Sequence, residues 1–327
     1  MYEQRKSLYQ AIEAFTASKV ICYVTGDRAN QSIQIAPDCL DYFTEHLDAI
    51  GKTKKISLIL YTRGGHTLAA WTLVNLIRQF CDELQVIVVS KAHSAGTLIC
   101  LGADRVIMTK QATLGPIDPS TNGPLNPQVP GNNPFVRVPV SVESINAYLQ
   151  MVKDLGITSE REQADILIDL SSKVHPLVLG DVNRARNQIR MLGERLMRHH
   201  IAEENIRSDI LNFLCSESGS HDYTIHRKEA RDILKLPIDK PDDAQYAIYK
   251  KLHADITNEL QLLIPFIPDI LLGDQVSVAY SCVRGLIESL EFTPAQFVSV
   301  GDLRRIQTPQ GQVVFEDRKT FEGWRFQ

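Results

Sequence analysis

Two short segments carry the residue types that acyl-transfer chemistry needs. The first is Tyr61-Thr62-Arg63-Gly64-Gly65-His66. Paired glycines let the backbone turn sharply and leave N–H groups unencumbered by side chains, close to whatever lies above the turn. The second is Ala92-His93-Ser94-Ala95-Gly96-Thr97. It sets a serine between a strand pattern and a helix pattern, where Oγ is exposed and the next N–H groups along the chain face a developing anion. Ala-x-Ser-x-Gly is a loose pattern, and either segment alone reads equally well as a tight turn or a small-residue helix start. The chemistry rests on the pair, with 30 positions between Gly64 and Ser94.

Both turns need strands to deliver them and helices to carry the chain away. Lys19 to Thr25 and Ile56 to Tyr61 are dense apolar runs of strand length, as are Leu84 to Val89 and Arg105 to Met108. Between them, Pro37–Ile50 and Leu68–Phe80 repeat apolar residues at helical spacing, and Ala95–Gly102 reads as a short apolar helix. Strand alternating with helix predicts an α/β fold built on a mainly parallel sheet. Between Pro116 and Pro139 lie seven of the 15 prolines, a density of breakers that predicts a long loop bordering a site. Helices are expected at 142–155, 159–173 and 176–200, then over 242–263, with strands and a Pro309-Gln310-Gly311 hairpin turn over 297–324.

A T-x-G-G turn after one strand and a Ser-Ala-Gly-Thr turn after the next resemble the ClpP/crotonase superfold. There the first turn supplies one oxyanion-hole amide, and the second supplies the nucleophile and the other amide. The continuation SAGTLICLGADRVIMTKQATLGPIDPS is similar to the SDH (serine dehydrogenase proteinase) family of Clp-fold serine proteases, relatives of signal peptide peptidase A. Its ADRVIM and LGPIDP elements are the specific part. Val174-His175-Pro176-Leu177 and HDYTIHRKEARDILKL at 221–236 resemble the same family, and the likeness spans residues 15–240.

Carried over position by position, the resemblance implies that Ser94 is the nucleophile and that the N–H groups of Gly65 and Ala95 form the oxyanion hole. The family's Ser, Asp, His chain order fits Ser94, Asp118 and His175. In that arrangement the imidazole removes the serine proton and the carboxylate orients it. Lys173 is an alternative base, on the pattern of a Ser/Lys dyad with a desolvated, neutral lysine. His66, His93 and His221 stay open as further candidates. Arg63 departs from the family, whose turn commonly reads T-P-G-G.

The implied protein is an α/β ClpP/crotonase-like hydrolase: a serine endopeptidase that cleaves protein or peptide substrates through an acyl-enzyme, needs no cofactor and forms a homo-oligomer. The implied domains are 1–240 for the peptidase and 241–327 for a C-terminal helix and β-hairpin extension. A catalytically silent Clp-fold scaffold that binds a protein partner is the alternative. Crotonase-type acyl-CoA chemistry would use the same hole, but a serine at the nucleophile turn counts against it.

Composition fits an ordinary soluble globular protein and excludes several other classes. The 327 residues are 44% hydrophobic and 23% charged, with a formal net charge of −4, which gives no electrostatic case for nucleic acid or an anionic membrane. The six cysteines, at 22, 39, 81, 100, 215 and 282, contain no CxxC pair and read as reduced thiols rather than a disulfide framework or zinc site. There is no P-loop and no GxGxxG, so nucleotide chemistry is not indicated. The N-terminus lacks the apolar core of a signal peptide and the membrane anchor of many archaeal relatives, which leads to the expectation of a soluble, cytoplasmic protein. Arg184, Arg186, Arg190, Arg195 and Arg198, with Asp181 and Glu194 among them, are expected to form a solvated or intersubunit face.

Overall fold

The computed structural model describes residues 1–117, 120–121, 123–129, 136–217, 220, 222–307 and 313–327. It divides into two compact units, Met1–Leu114 with Ile225–Gln327, and Gly115–Thr224.

The first unit opens with α1 (Tyr2–Thr16), β1 (Lys19–Thr25), α2 (Leu40–Ile50), β2 (Thr53–Thr62) and α3 (Thr67–Ile77). It continues through β3 (Cys81–Ala92), α4 (Ala95–Leu101), β4 (Arg105–Met108) and β5 (Thr113–Leu114). β1 to β4 are mutually parallel and in sequence order, and their apolar runs are buried on both faces, as a covered parallel sheet requires. α1 exists because Tyr2, Leu8, Tyr9 and Ile12 fall on one face and are all buried there.

The second unit holds β6 (Ser120–Thr121) paired antiparallel with β7 (Val140–Ser141), then α5 (Val142–Asp154), α6 (Glu160–Lys173), α7 (Pro176–Met197) and α8 (Glu204–Asn212). Val140, Val178 and Val182 form a small core. The arginine face of α7 makes local contacts: Arg184 pairs with Asp181 at 3.0 Å, Arg190 reaches Asn212, and Arg198 and Arg207 share Glu194. The prolines at 119, 130 and 134 lie outside the described residues, as does much of the loop expected around them.

The chain re-enters the first unit with β8 (Ile225–His226), α9 (Arg227–Asp232), β9 (Ile238–Asp239) and α10 (Asp243–Glu259). α10 starts at a reciprocal cap: Asp242 accepts from the Gln245 N–H at 2.8 Å, and Gln245 accepts from the Asp242 N–H at 3.1 Å. After α11 (Pro268–Leu272) come β10 (Ser277–Ser289), β11 (Ala295–Gln307) and β12 (Val313–Phe326). These three pair antiparallel and join the sheet through β10 beside β1, giving the order β12-β11-β10-β1-β2-β3-β4-β9. Residues 241–327 are therefore built into the first unit: α10 covers one sheet face, and the antiparallel strands lengthen its edge. The turn expected at 309–311 lies outside the described residues.

The core on the α1/α10 face gathers Tyr9, Ile12, Val20, Ile59, Ile87, Tyr249 and Ile256. Fully burying a side chain of this size is worth about 1.5–3 kcal/mol. These positions therefore hold β1–β3 rigid up to their carboxyl ends, where the two turns emerge. No helix among the described residues is long and apolar enough to cross a membrane.

Candidate active site

The turn after β2 is built from close approaches that only glycine permits. Gly64 has φ 112°, and a Cβ there would stand 2.7 Å from the Ser94 Cβ and 2.9 Å from the His93 carbonyl oxygen. Gly65 has φ 148°, and a Cβ there would lie 2.3 Å from the Ile35 carbonyl oxygen. Ile35 runs alongside as a parallel bridge, its N–H donating to Gly64 O at 2.9 Å while the His66 N–H donates to Ile35 O at 2.8 Å.

The turn after β3 interlocks with the first. The His93 N–H donates to Thr62 O at 3.1 Å. A Cβ on Gly96 would meet Thr62 Cγ2 at 2.4 Å, so the glycine of Ala-x-Ser-x-Gly is what lets α4 start against β2. Thr62 holds the first turn from within, its Oγ1 accepting from the Gly64 N–H at 2.9 Å and sharing a hydrogen bond with Thr25 Oγ1 at 2.6 Å.

Ser94 lies between these constraints with φ 51° and ψ −115°, a backbone conformation that a side-chain-bearing residue adopts only when its surroundings enforce it. It is the last residue before α4 and is partly exposed. Its Oγ makes no hydrogen bond among the described residues. The N–H groups of Gly65 and Ala95 likewise donate to no acceptor among them, although Ala95 is buried. A strained serine flanked by two free donors on interlocked turns has the elements of an acyl-transfer site.

His93 Nε2 bonds Thr113 Oγ1 at 2.8 Å, which engages its ring with β5. His66 is exposed at the start of α3, and Arg63 is exposed in the turn itself. His175 is exposed in the second unit and caps α7, its Nδ1 accepting from the Leu177 N–H at 3.2 Å. Lys173 ends α6 in the same unit. Asp118 and His221 lie outside the described residues.

Sequence reasoning passed over a polar cluster beside the two turns. Asp27 accepts from the Tyr61 hydroxyl at 2.6 Å and from Lys91 Nζ at 2.8 Å. The His253 ring of α10 stands 5.6 Å from the ring of Tyr61. Burial opposes ionisation of Asp27, but the hydrogen bonds from Lys91 and Tyr61 outweigh it and hold the carboxyl below its ordinary range. Burial, reinforced by Lys91, lowers the His253 imidazole. Among the described residues no group of three or more His, Cys, Asp or Glu could hold a metal ion.

Comparison with known proteins agrees with the motifs. Residues 42–129 match the family model of the ClpP-like SDH-type serine proteinase. An uncharacterized protein of Methanocaldococcus jannaschii is 30% identical over 185 residues, 57% of this chain and 54% of the relative. A second from the same organism is 25% identical over 178 residues, 54% of this chain and 50% of the relative. The chain spans about half the length of these curated relatives. Among solved structures, a serine-to-alanine mutant of the 1510-N membrane-bound stomatin-specific protease aligns over 66% of this chain and 79% of its own, with 16% identity and a TM-score of 0.39. ClpP1 from Listeria monocytogenes aligns over 72% of this chain and 99% of its own, with 14% identity and a TM-score of 0.37. Both turns lie within the segment that matches the ClpP-like SDH-type serine proteinase family model.

Proposed function

We propose that this chain is a serine peptidase that cleaves peptide bonds through an acyl-enzyme on Ser94. The observation that carries the reading is the strained Ser94, with Gly65 and Ala95 N–H groups that have no acceptor among the described residues held on interlocked turns. Attack of Oγ on a scissile carbonyl moves negative charge onto the carbonyl oxygen, and two preorganised donors stabilise that charge as it develops. Losing one such donor typically costs about 3 kcal/mol of barrier. The leaving amine then takes a proton from the protonated base, and water hydrolyses the ester.

The base proposed is His175 oriented by Asp118, on the family's Ser, Asp, His chain order, with Lys173 as the alternative on the pattern of a Ser/Lys dyad. Since Nδ1 of His175 accepts from Leu177, the neutral ring carries its proton on Nε2. Service as base at Ser94 therefore requires the ring to release that cap. The substrate proposed is a protein or peptide, and a homo-oligomer is the proposed assembly.

The test is labelling with a serine-reactive phosphonate probe, wild type against Ser94→Ala. Covalent labelling of the wild type that vanishes in the variant supports the reading. A folded wild type that never labels, or label that persists in Ser94→Ala, overturns it. His175→Ala and Lys173→Ala in the same assay identify the base, as the variant whose labelling collapses while its unfolding temperature holds.

A further inference from the structure

Asp27 lies two residues beyond β1, at the start of the loop that later runs past Gly65 as Ile35. Its carboxylate is 10% exposed and has a different strand end on each oxygen. Oδ1 accepts from Tyr61, the residue before Thr62-Arg63-Gly64-Gly65, and Oδ2 accepts from Lys91, the residue before Ala92-His93-Ser94. The Lys91 ammonium also stands 5.4 Å from the centre of the Tyr61 ring.

The strand register shows why such a tie is needed here. β2 and β3 pair in step until Leu60 opposes Val88, and the next pairing is Thr62 with Ala92. One residue of β2, Tyr61, therefore faces three of β3, Val89, Ser90 and Lys91. Ladder hydrogen bonding is interrupted at the last residues before the two turns, where a bulge re-aims the chain beyond it. Beyond the bulge the backbone rejoins only at Thr62, through its pairing with Ala92 and the bond from the His93 N–H, so Tyr61 and Lys91 themselves are left without a partner across the two strands. Asp27 bridges the gap by a charged and a phenolic hydrogen bond to one carboxylate, and the α10 side of Tyr61 is closed by His253.

We infer that Asp27, with Tyr61 and Lys91, is a positioning group that sets the distance between the oxyanion turn and the nucleophile turn. The inference rests on the reading of Ser94 as nucleophile and adds to it the residues that hold the site in register. Neither Asp27 nor Lys91 touches the reacting atoms. Lys91 is committed to the ion pair and does not serve as the base.

The experiment measures phosphonate labelling of the full chain as a maximal rate and a half-saturating concentration, alongside amide hydrogen exchange. Asp27→Asn is expected to lower the maximal rate about tenfold, an energy of about 1.4 kcal/mol, with half-saturation within about twofold of wild type. Lys91→Met shifts the rate in the same direction, and Lys91→Arg, which keeps the ion pair, labels at close to the wild-type rate. Exchange in Asp27→Asn should quicken together in the segments 61–66 and 91–97 and nowhere else in the sheet.

Unchanged maximal rates in both Asp27→Asn and Lys91→Met overturn the inference, as does a fall that Lys91→Arg shares. If the wild type does not label at all, the nucleophile reading is lost, and exchange still decides the tie. Quickening confined to one segment, or spread through β1–β4, overturns it.

Discussion

Two polar regions of the first unit contrast in how completely they are satisfied. In one, Arg5 is buried to zero exposure among α1, α10 and β10. Its Nε and Nη2 meet Glu288 at 2.9 and 2.5 Å, and its Nη1 meets Glu259 at 2.6 Å as well as Asp255. Tyr9 adds a further bond to Glu288, and burial pushes the Tyr9 hydroxyl well above its ordinary range. In the other, at the carboxyl ends of β2 and β3, a serine hydroxyl and two backbone N–H groups have no acceptor or donor among the described residues, and the serine backbone is strained. A buried ionic cluster with every member paired holds elements together and is inert. Donors left open on a rigid frame cost stability and are kept where a substrate supplies the missing partner.

Removing Arg5 breaks this contrast most severely. Arg5→Ala leaves the buried Glu288 carboxylate with the Tyr9 hydroxyl but without its cation, so the unfolding free energy by urea titration should fall by about 3–5 kcal/mol. Labelling per folded molecule should stay unchanged. Gly64→Ala does the reverse. Its Cβ is driven against Ser94 and His93, so labelling should fall by about 100-fold or more, with a smaller loss of stability.

A third prediction concerns His46, buried with Nδ1 on Ser289 at 2.7 Å and its pKa lowered by burial to about 4 from 6.5. Between those values the unfolded chain holds a proton that the folded chain does not. Stability should therefore be full above pH 6.5 and fall as pH drops towards 4, by about 1.4 kcal/mol per unit. Denaturant titrations from pH 7 to 4 should show this slope, and His46→Gln should remove it.

The smallest effect is expected from Thr62→Val, which strips the Gly64 N–H and the Thr25 hydroxyl of their partner. About 1–2 kcal/mol of stability should be lost by thermal unfolding, with a slower labelling rate.

Much of this architecture is legible in the sequence. β1 and β4 match the apolar runs residue for residue, because buried parallel strands need uninterrupted apolar sequence. The two turns stand out because their glycines answer to close backbone approaches that no other residue type permits, and because a serine stands between them. α1 is hidden because its buried face includes Arg5, a residue that reads as solvent-exposed until Glu288 is brought to it from 283 positions away. β10 escapes for a related reason. Only its last five residues, Gly285 to Ser289, are buried without a break, and its partner on one side is β1, far back in the chain. The Asp27 cluster depends on a bulge in the pairing of β2 and β3, which no periodicity in either strand announces.

The most direct measurement is a crystal structure of the phosphonate adduct of the full chain. The predicted adduct has phosphorus bonded to Ser94 Oγ, with one phosphonyl oxygen within about 2.7–3.1 Å of both the Gly65 and Ala95 nitrogens. An adduct on another residue, or on Ser94 with that oxygen turned away from both N–H groups, would contradict the assignment of Ser94 and its oxyanion hole.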